Sequence, residues 1–295
     1  MKGKAKMKIE LDQVQTIGTG ILRPEGVMAL DDGAILTADG RGCCARIARD
    51  GATSLYGDVE GVPNGICIDA RGNCIIANIG NGQVQSLAPD GTHQVLLTEA
   101  EGRPITSPNF PYIDSKDRLW VSNSTARFDV NAALASPGPD GSVVLVENGA
   151  GRIVADGLSF ANGLTLDQNE DYLYVAETME RLITRFKVAS DGSLSGREVY
   201  GPHPLGERGA PDGIAFDEAG NLWITFPAWN AVGYINPDGD LEMVLEDPDR
   251  KILASPTNIC FGWEERKTAF LGSLNGTSIP YFTVPNPGMK LIHQA

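Results

Sequence analysis

Residues 212–226 read DGIAFDEAGNLWITF and contain two short β-prone runs on either side of a polar turn. The first run is apolar, the turn carries Asp217 and Gly220, and the second run is rich in aromatic and β-branched residues. This order is typical of a β-hairpin. The stretch therefore predicts two antiparallel strands that are preceded by a carboxylate, Asp212.

The same pattern recurs along the whole chain, which indicates a repeat architecture. Five further segments share it: residues 25–39, 64–78, 109–123, 162–177 and 258–272. The six starts are separated by 39, 45, 53, 50 and 46 residues. Asp-Gly pairs, which favour tight turns between strands, follow at residues 50–51, 90–91, 191–192 and 238–239. Each repeat therefore predicts two hairpins and four strands.

Six four-stranded repeats of about 40–50 residues predict an all-β fold, a six-bladed β-propeller with antiparallel blades. A β-sandwich or two separate β domains are the alternatives. We expect residues 11–295 to form one propeller domain and residues 1–10 to form a mobile tail. Residues 11–22 precede blade 1, and we expect them to supply the outer strand that completes blade 6. Residues 279–295 should continue blade 6.

Composition excludes several classes of partner. The formal net charge of −14 disfavours binding to nucleic acid or to an anionic membrane surface. No apolar run approaches the roughly 18 residues of a membrane span, and the Lys-rich start lacks the apolar region of a secretory signal. The five Cys show no CxxC spacing, so we expect reduced thiols in a cytoplasmic protein. A monomer or a small homo-oligomer is expected.

The first position of every repeat is polar. In order, these residues are Glu25, Asn64, Asn109, Asn162, Asp212 and Asn258. The first strand of each propeller blade lines the central channel, so six equivalent positions should converge near its axis. Turn chemistry is the alternative explanation, because Asn and Asp favour turns and Gly follows four of the six. Carboxylate and amide oxygens are, however, the ligands of a hard cation such as Ca²⁺.

Other signatures of catalysis are missing from the sequence. There is no GxSxG, HExxH or Walker motif. The long segments 123–141 and 201–211 should overhang the mouth of the channel, where loops on a rigid scaffold carry function. His203 is the only histidine placed to reach that mouth, and a solvated loop position is its simpler explanation.

Several short motifs resemble those of the senescence-marker-protein/gluconolactonase/luciferin-regenerating-enzyme family, which includes regucalcin-like and sugar-lactonase-like proteins. The matching segments run through the chain in the family's order: RPEG at 23–26, SPN at 107–109, ANGL at 161–164, VAET at 175–178 and PDGI at 211–214. The resemblance implies a six-bladed propeller with one catalytic divalent cation at its axis.

Carried over by position, the resemblance implies that Glu25, Asn162 and Asp212 bind the cation. Asn109 matches a position that binds the metal in some members and substrate in others. Two positions depart from the pattern. Ser107 stands where sugar lactonases often have Arg, and Phe110 stands where many members have an acidic residue. Both are therefore candidate substrate-binding residues, in a pocket less suited to a polyhydroxylated sugar acid.

The leading hypothesis is cation-dependent hydrolysis of a lactone. Ca²⁺ is the first choice of cation, with Zn²⁺, Mn²⁺ and Mg²⁺ as alternatives; it would polarise the ring carbonyl and activate water. Asp212 would act as the general base. Asn109 and Asn64 would hydrogen-bond the substrate, and Asn123 and Arg127 on the overhanging loop would recognise its polar end.

Three other functions remain open at this point. A phosphotriester or fluorophosphate hydrolase would use the same cation on a P=O group. A non-catalytic binding propeller would present its top face to a peptide or carbohydrate. A metal-free enzyme similar to strictosidine synthase would need a carboxylate base, for which Glu177 is the candidate.

Overall fold

Six four-stranded antiparallel sheets make up the computed structural model, which describes residues 7–294. The first strands of neighbouring blades contact one another in a closed ring, from blade 1 round to blade 6 and back. The predicted six-bladed β-propeller is therefore confirmed. Among the described residues there is a single, six-residue α-helix, Val130–Ala135, and no helix is long or apolar enough to cross a bilayer.

The strands of blades 1 to 3 follow the first three repeats. Blade 1 contains Val27–Ala29, Ile35–Asp39, Cys43–Ile47 and Thr53–Tyr56. Blade 2 contains Pro63–Ile68, Cys74–Asn78, Gln83–Leu87 and His93–Leu97. A two-stranded hairpin, Glu99–Ala100 with Arg103–Pro104, leads to blade 3. Blade 3 contains Pro108–Ile113, Leu119–Asn123, Gly141–Glu147 and Ala150–Leu158.

Blades 4 to 6 complete the ring. Blade 4 contains Ala161–Leu166, Tyr172–Glu177, Leu182–Val188 and Leu194–Tyr200. Blade 5 contains Ile214–Phe216, Leu222–Phe226, Ala231–Ile235 and Leu241–Glu246. Blade 6 contains Pro256–Gly262, Thr268–Ser273, Ile279–Thr283 and, as its outer strand, Gln15–Ile17.

The amino-terminal strand closes the ring as predicted. Gln15–Ile17 pairs antiparallel with Ile279–Thr283, so blade 6 joins the two ends of the chain. The proposed mobile tail, residues 1–10, lies mostly outside the described residues and stays a prediction, as does the domain boundary at residue 11. Within its last part, the Ile9 amide donates a hydrogen bond to the Val244 carbonyl at 2.7 Å.

Local chemistry explains the outer hairpins. The glycines of the four Asp-Gly pairs all have a φ between 76° and 89°, a left-handed conformation that glycine adopts without strain. The inner two strands of each blade are almost wholly buried, whereas outer strands such as His93–Leu97 are largely exposed. The core therefore surrounds the channel and holds its first strands rigidly.

Candidate functional site

The six polar residues that open the repeats lie buried at the axis. Their exposed fractions range from 1% to 9%. Five of the six interact with one another: Asn64 with Glu25 and Asn109 through hydrogen bonds, and Asp212 with Glu25 by charge and with Asn162 through a hydrogen bond. The sixth, Asn258, lies between Asp212 and Glu25 in ring order. We call this set the axial ring: Glu25, Asn64, Asn109, Asn162, Asp212 and Asn258.

Glycines allow the ring residues to approach one another. Gly163 and Gly213 directly follow ring residues, and each lies against the backbone of the next blade. A Cβ on Gly163 would be 2.5 Å from the Asp212 carbonyl oxygen, and one on Gly213 would be 2.5 Å from the Thr257 carbonyl oxygen. Neither glycine has a positive φ. These two glycines therefore allow close contact between blades. They do not adopt the left-handed turn conformation that was considered as the alternative.

Blades 1 to 3 form a hydrogen-bonded sector of the ring. Asn64 Nδ2 donates to Glu25 Oε1 at 2.9 Å and to Asn109 Oδ1 at 3.1 Å. Arg23 Nη2 donates to Asn64 Oδ1 at 2.8 Å. Asn109 Nδ2 donates to Ser124 Oγ at 2.9 Å. The orientation of each amide in this sector is therefore fixed by its neighbours.

Blades 4 and 6 differ from that sector. Asn162 Nδ2 donates to Thr178 Oγ1 at 3.1 Å, but Asn162 Oδ1 is buried without a hydrogen-bond partner among the described residues. Neither polar atom of the Asn258 side chain has a partner there. Buried polar atoms are rarely left unpaired, so this sector has unused capacity to bind a ligand.

The two carboxylates of the ring are electrostatically strained. Burial raises the pKa of Glu25 to about 7, against the lowering effects of the Arg23 charge and the Asn64 amide. Burial also raises the pKa of Asp212 well above its ordinary value, and the nearby Glu25 charge adds to this shift. Two carboxylates in a buried, low-dielectric space repel each other. A cation between them would relieve both desolvation and repulsion.

The donor set fits a hard cation. Within residues 7–294, no group of three or more His, Cys, Asp or Glu side chains could hold a metal. The ring instead combines two carboxylates with amide oxygens, including the unpaired Asn162 Oδ1. Oxygen-only sets of this kind suit Ca²⁺ or Mg²⁺ and lack the soft ligands that favour other metals.

The remaining candidates lie around the ring. Ser107 is fully buried, and its Oγ donates to the Arg127 carbonyl oxygen at 3.0 Å. The Asn123 amide accepts from Ser107 N at 2.8 Å and donates to the Thr125 carbonyl oxygen at 3.0 Å. The Arg127 guanidinium pairs with Asp140 at 3.0 Å. These groups have partners within the protein, and their part in substrate binding stays a prediction.

Phe110 faces the interior of the channel. It is 6% exposed and lines a small apolar cavity of about 40 Å³ together with first-strand residues of other blades. His203, in contrast, is exposed on its loop.

Two features of the site were missed in the sequence. Arg23 reaches the ring from a loop, and its partner Asn64 is 41 residues away in the chain. Buried polar side chains also end the second strand in several blades, where each accepts a hydrogen bond from the loop entering the ring. Asp39, Asn78, Asn123 and Glu177 do so from the amides of Leu22, Val62, Ser107 and Ser159, at 2.7–2.9 Å. Their recurrence at one position of the repeat was the available signal.

Comparison with known proteins relates the chain to a described family. The model of the family described as SMP-30/Gluconolactonase/LRE-like region matches residues 90–275. A 6-deoxy-6-sulfogluconolactonase of Pseudomonas putida is 28% identical over 122 residues, covering 41% of this chain and 40% of that protein. A diisopropyl-fluorophosphatase of Loligo vulgaris is 24% identical over 241 residues, covering 78% and 74%.

Solved structures show the same fold. A gluconolactonase from Xanthomonas campestris superimposes with a TM-score of 0.77 at 20% identity, and the match covers 96% of each chain. The first three curated relatives are matched over only 40%, 45% and 60% of their own lengths.

Proposed function

The chain belongs to the SMP-30/gluconolactonase/LRE-like family, and from this premise we propose that it is a divalent-cation-dependent lactonase. Family membership supports hydrolysis of a lactone. The proposed substrate is a small molecule, and the proposed cation is Ca²⁺, with Zn²⁺, Mn²⁺ or Mg²⁺ as alternatives. The five free, buried cysteines support a cytoplasmic location. We expect a monomer or a small homo-oligomer.

The observation that carries this proposal is the pair of buried carboxylates beside unpaired amide oxygens. Glu25, Asp212 and Asn162 would hold the cation, with Asn109 at the edge of the ligand set. When bound, a divalent cation supplies Lewis-acid polarisation of an ester carbonyl and makes a water molecule more acidic. Without such an ion, two carboxylates would be buried with no cation except the half-buried Arg23 near them.

Proton transfer, substrate binding and positioning of the ligands would fall to residues of the axial ring. Asp212 would take the proton from the attacking water, because a carboxylate beside the cation would lie next to the water that the cation makes more acidic. Asn109 would hydrogen-bond the substrate, with its amide orientation fixed by Ser124. Asn64 would hold Glu25 and Asn109 in place beneath the mouth. Ser107, Phe110, Asn123 and Arg127 stay proposed contributors to substrate selection.

The test is pH-indicator hydrolysis of a lactone panel by chelator-stripped protein, with each divalent cation restored in turn. The panel spans sugar lactones, simple γ- and δ-lactones and aromatic lactones. We expect turnover that depends on the added cation, and a loss of about 10²-fold or more in kcat for Asp212→Asn. Folded wild-type protein that is inactive with every cation would refute the lactonase proposal, and full activity of Asp212→Asn would remove it from the base role.

A phosphotriester or fluorophosphate hydrolase is the second candidate. The alignment with the Loligo vulgaris diisopropyl-fluorophosphatase over 78% of this chain favours it. The same ring would then bind a P=O oxygen. Adding a fluorophosphate to the substrate panel, with fluoride release as the readout, separates the two candidates.

The metal-free alternatives have less support. Glu177, the base that an enzyme similar to strictosidine synthase would require, is 1% exposed and pairs with Arg197 at 2.9 Å, while its second oxygen accepts from Ser159 N at 2.7 Å. Its oxygens are occupied in holding a loop. A non-catalytic binding propeller would not require two buried carboxylates at its axis. That hypothesis predicts that Glu25→Gln has no effect on function.

A further inference from the structure

Asn258 is the one member of the axial ring whose side chain has no hydrogen-bond partner at all among the described residues. It is 1% exposed, and both Oδ1 and Nδ2 are unpaired. The other ring amides differ, since those of Asn64 and Asn109 are fully engaged and Asn162 uses its Nδ2. Burying an amide without partners is unfavourable, and an apolar side chain of similar size would avoid that loss.

The backbone places Asn258 between the two carboxylates of the ring. On one side, the Gly213 amide, next to Asp212, donates to the Thr257 carbonyl oxygen at 2.7 Å. On the other, Thr257 Oγ1 donates to the Glu25 carbonyl oxygen at 2.9 Å. Asn258 therefore follows a residue that bridges the two acidic positions, yet its own amide donates to neither carboxylate.

We infer that Asn258 is a further ligand of the cation, through Oδ1. This inference rests on the proposed cation-dependent function. The unpaired amide oxygens of the ring belong to Asn162 and Asn258, which flank Asp212 in blade order. With Glu25, they give four oxygen-bearing residues from four consecutive blades, 4, 5, 6 and 1.

On the opposite side of the axial ring, Asn64 and Asn109 have less free amide oxygen with which to bind a cation. Asn109 Oδ1 already accepts a hydrogen bond from Asn64, and Asn64 Oδ1 accepts one from Arg23, so neither oxygen is as free as that of Asn258. Ca²⁺ takes six to eight oxygen ligands, and an additional amide oxygen is consistent with that demand. Ligation through Oδ1 leaves the Asn258 amide hydrogens available to a substrate oxygen.

The experiment measures Ca²⁺ affinity and metal-free stability together. Wild type, Asn258→Leu and Asn258→Ala are titrated with Ca²⁺ by calorimetry, and melting is followed in chelator. We expect both variants to bind Ca²⁺ at least about tenfold more weakly. Asn258→Leu should also raise the Tm of the metal-free protein by about 2–4 °C, because an unpaired buried amide is removed.

Asn221→Leu is the matched control. Asn221 is also buried, but its Nδ2 donates to Asp217 Oδ2 at 2.7 Å, in a turn outside the ring. The same substitution there should lower the Tm, since the buried Asp217 carboxylate loses a hydrogen bond, and should leave Ca²⁺ affinity within about twofold of wild type.

Each result decides between explanations. Wild-type affinity in both Asn258 variants overturns the inference while leaving the lactonase proposal intact. A Tm loss in Asn258→Leu as large as that of Asn221→Leu, with unchanged affinity, assigns Asn258 a structural role. If Asn258→Leu does not fold, Asn258→Ala supplies the affinity measurement. Absence of divalent-cation binding by folded wild type overturns both this inference and the cation-dependent function.

Discussion

Glycine residues determine how closely the polar side chains of the ring can meet. Gly26, Gly65, Gly163 and Gly213 each follow a ring residue, and a Cβ on any of them would come within 2.6 Å of a backbone oxygen of the next blade. Backbone atoms of neighbouring blades have little freedom to move, because they belong to hydrogen-bonded sheets. The side chain that is missing at these positions is therefore as important to the site as the carboxylates.

We predict that Gly213→Ala destabilises the protein and weakens Ca²⁺ binding. The new Cβ would lie 2.5 Å from the Thr257 carbonyl oxygen and 2.7 Å from the Asn258 Cα. Overpacking of this kind costs about 1–3 kcal/mol, or a Tm loss of about 2–10 °C. Thermal melting followed by circular dichroism, with and without Ca²⁺, measures the effect.

Gly138→Ala is the control for this prediction. A Cβ at Gly138 meets only a guanidinium nitrogen of Arg127, at 3.6 Å, and the residue has no positive φ. Its Tm should match or slightly exceed that of wild type. Equal Tm values for the two variants would show that blade spacing does not depend on Gly213.

Residue types at the site could be predicted from the sequence, but their partners could not. The polar start of each repeat identified the six ring positions, because equivalent positions of repeats meet at a symmetry axis. Arg23 belongs to one of the family motifs, but the sequence did not predict its contact with Asn64, because that contact joins two blades. Glu177 was considered only as a candidate base, whereas it is buried and pairs with Arg197. Neither contact leaves a local pattern in the chain.

At the scale of elements, the carboxyl-terminal segment, residues 287–294, closes one end of the apolar cavity that Phe110 lines. Residues 279–295 were expected to continue blade 6. Ile279–Thr283 does so as the third strand of that blade, which ends at Thr283. The Met289 amide instead donates to the Phe216 carbonyl oxygen at 2.9 Å, and Gln294 Nε2 donates to the Phe261 carbonyl oxygen at 3.1 Å. Met289 and His293 line the apolar cavity of the channel.

We predict that His293 makes this closure sensitive to acid. Burial lowers the pKa of His293, against the opposing effects of the Ala29 carbonyl and the Asp31 charge. His293 also lines an adjoining cavity, together with Asp32, Asp69 and Arg46. The unfolded chain, with a pKa of about 6.5, then binds more protons than the folded one. Stability should therefore fall as the pH drops below about 6.5.

Melting curves between pH 5 and pH 8 test this. His293→Gln keeps a side chain that can donate to Ala29 and removes the titration, so its Tm should fall less than that of wild type on acidification. His93→Gln, on an exposed outer strand, is the control and should follow wild type. Identical pH profiles for all three proteins would exclude His293 as the source of acid sensitivity.

At the scale of the whole molecule, the axial ring can form only because the six blades close into a propeller. Gln15–Ile17 pairs with Ile279–Thr283, joining the two ends of the chain in blade 6. This closure could be predicted, since residues 11–22 precede the first repeat and were expected to supply the outer strand of blade 6. The helix Val130–Ala135 and the carboxyl-terminal closure could not, because both depart from the repeat on which the prediction rested.

We predict that Ile17→Asp opens the ring, whereas Thr16→Asp does not. The two residues are adjacent in the closing strand, but Ile17 is buried and Thr16 is exposed. An unpaired buried carboxylate costs at least about 3 kcal/mol, so Ile17→Asp should lower the Tm by more than about 6 °C. Because Thr257 of blade 6, next to Asn258, donates a hydrogen bond to the Glu25 carbonyl oxygen of blade 1, Ca²⁺ affinity should fall when this closure is lost. Thermal melting and calorimetry on both variants measure the two effects, and equal behaviour of the variants would mean that closure is not what holds the axial ring together.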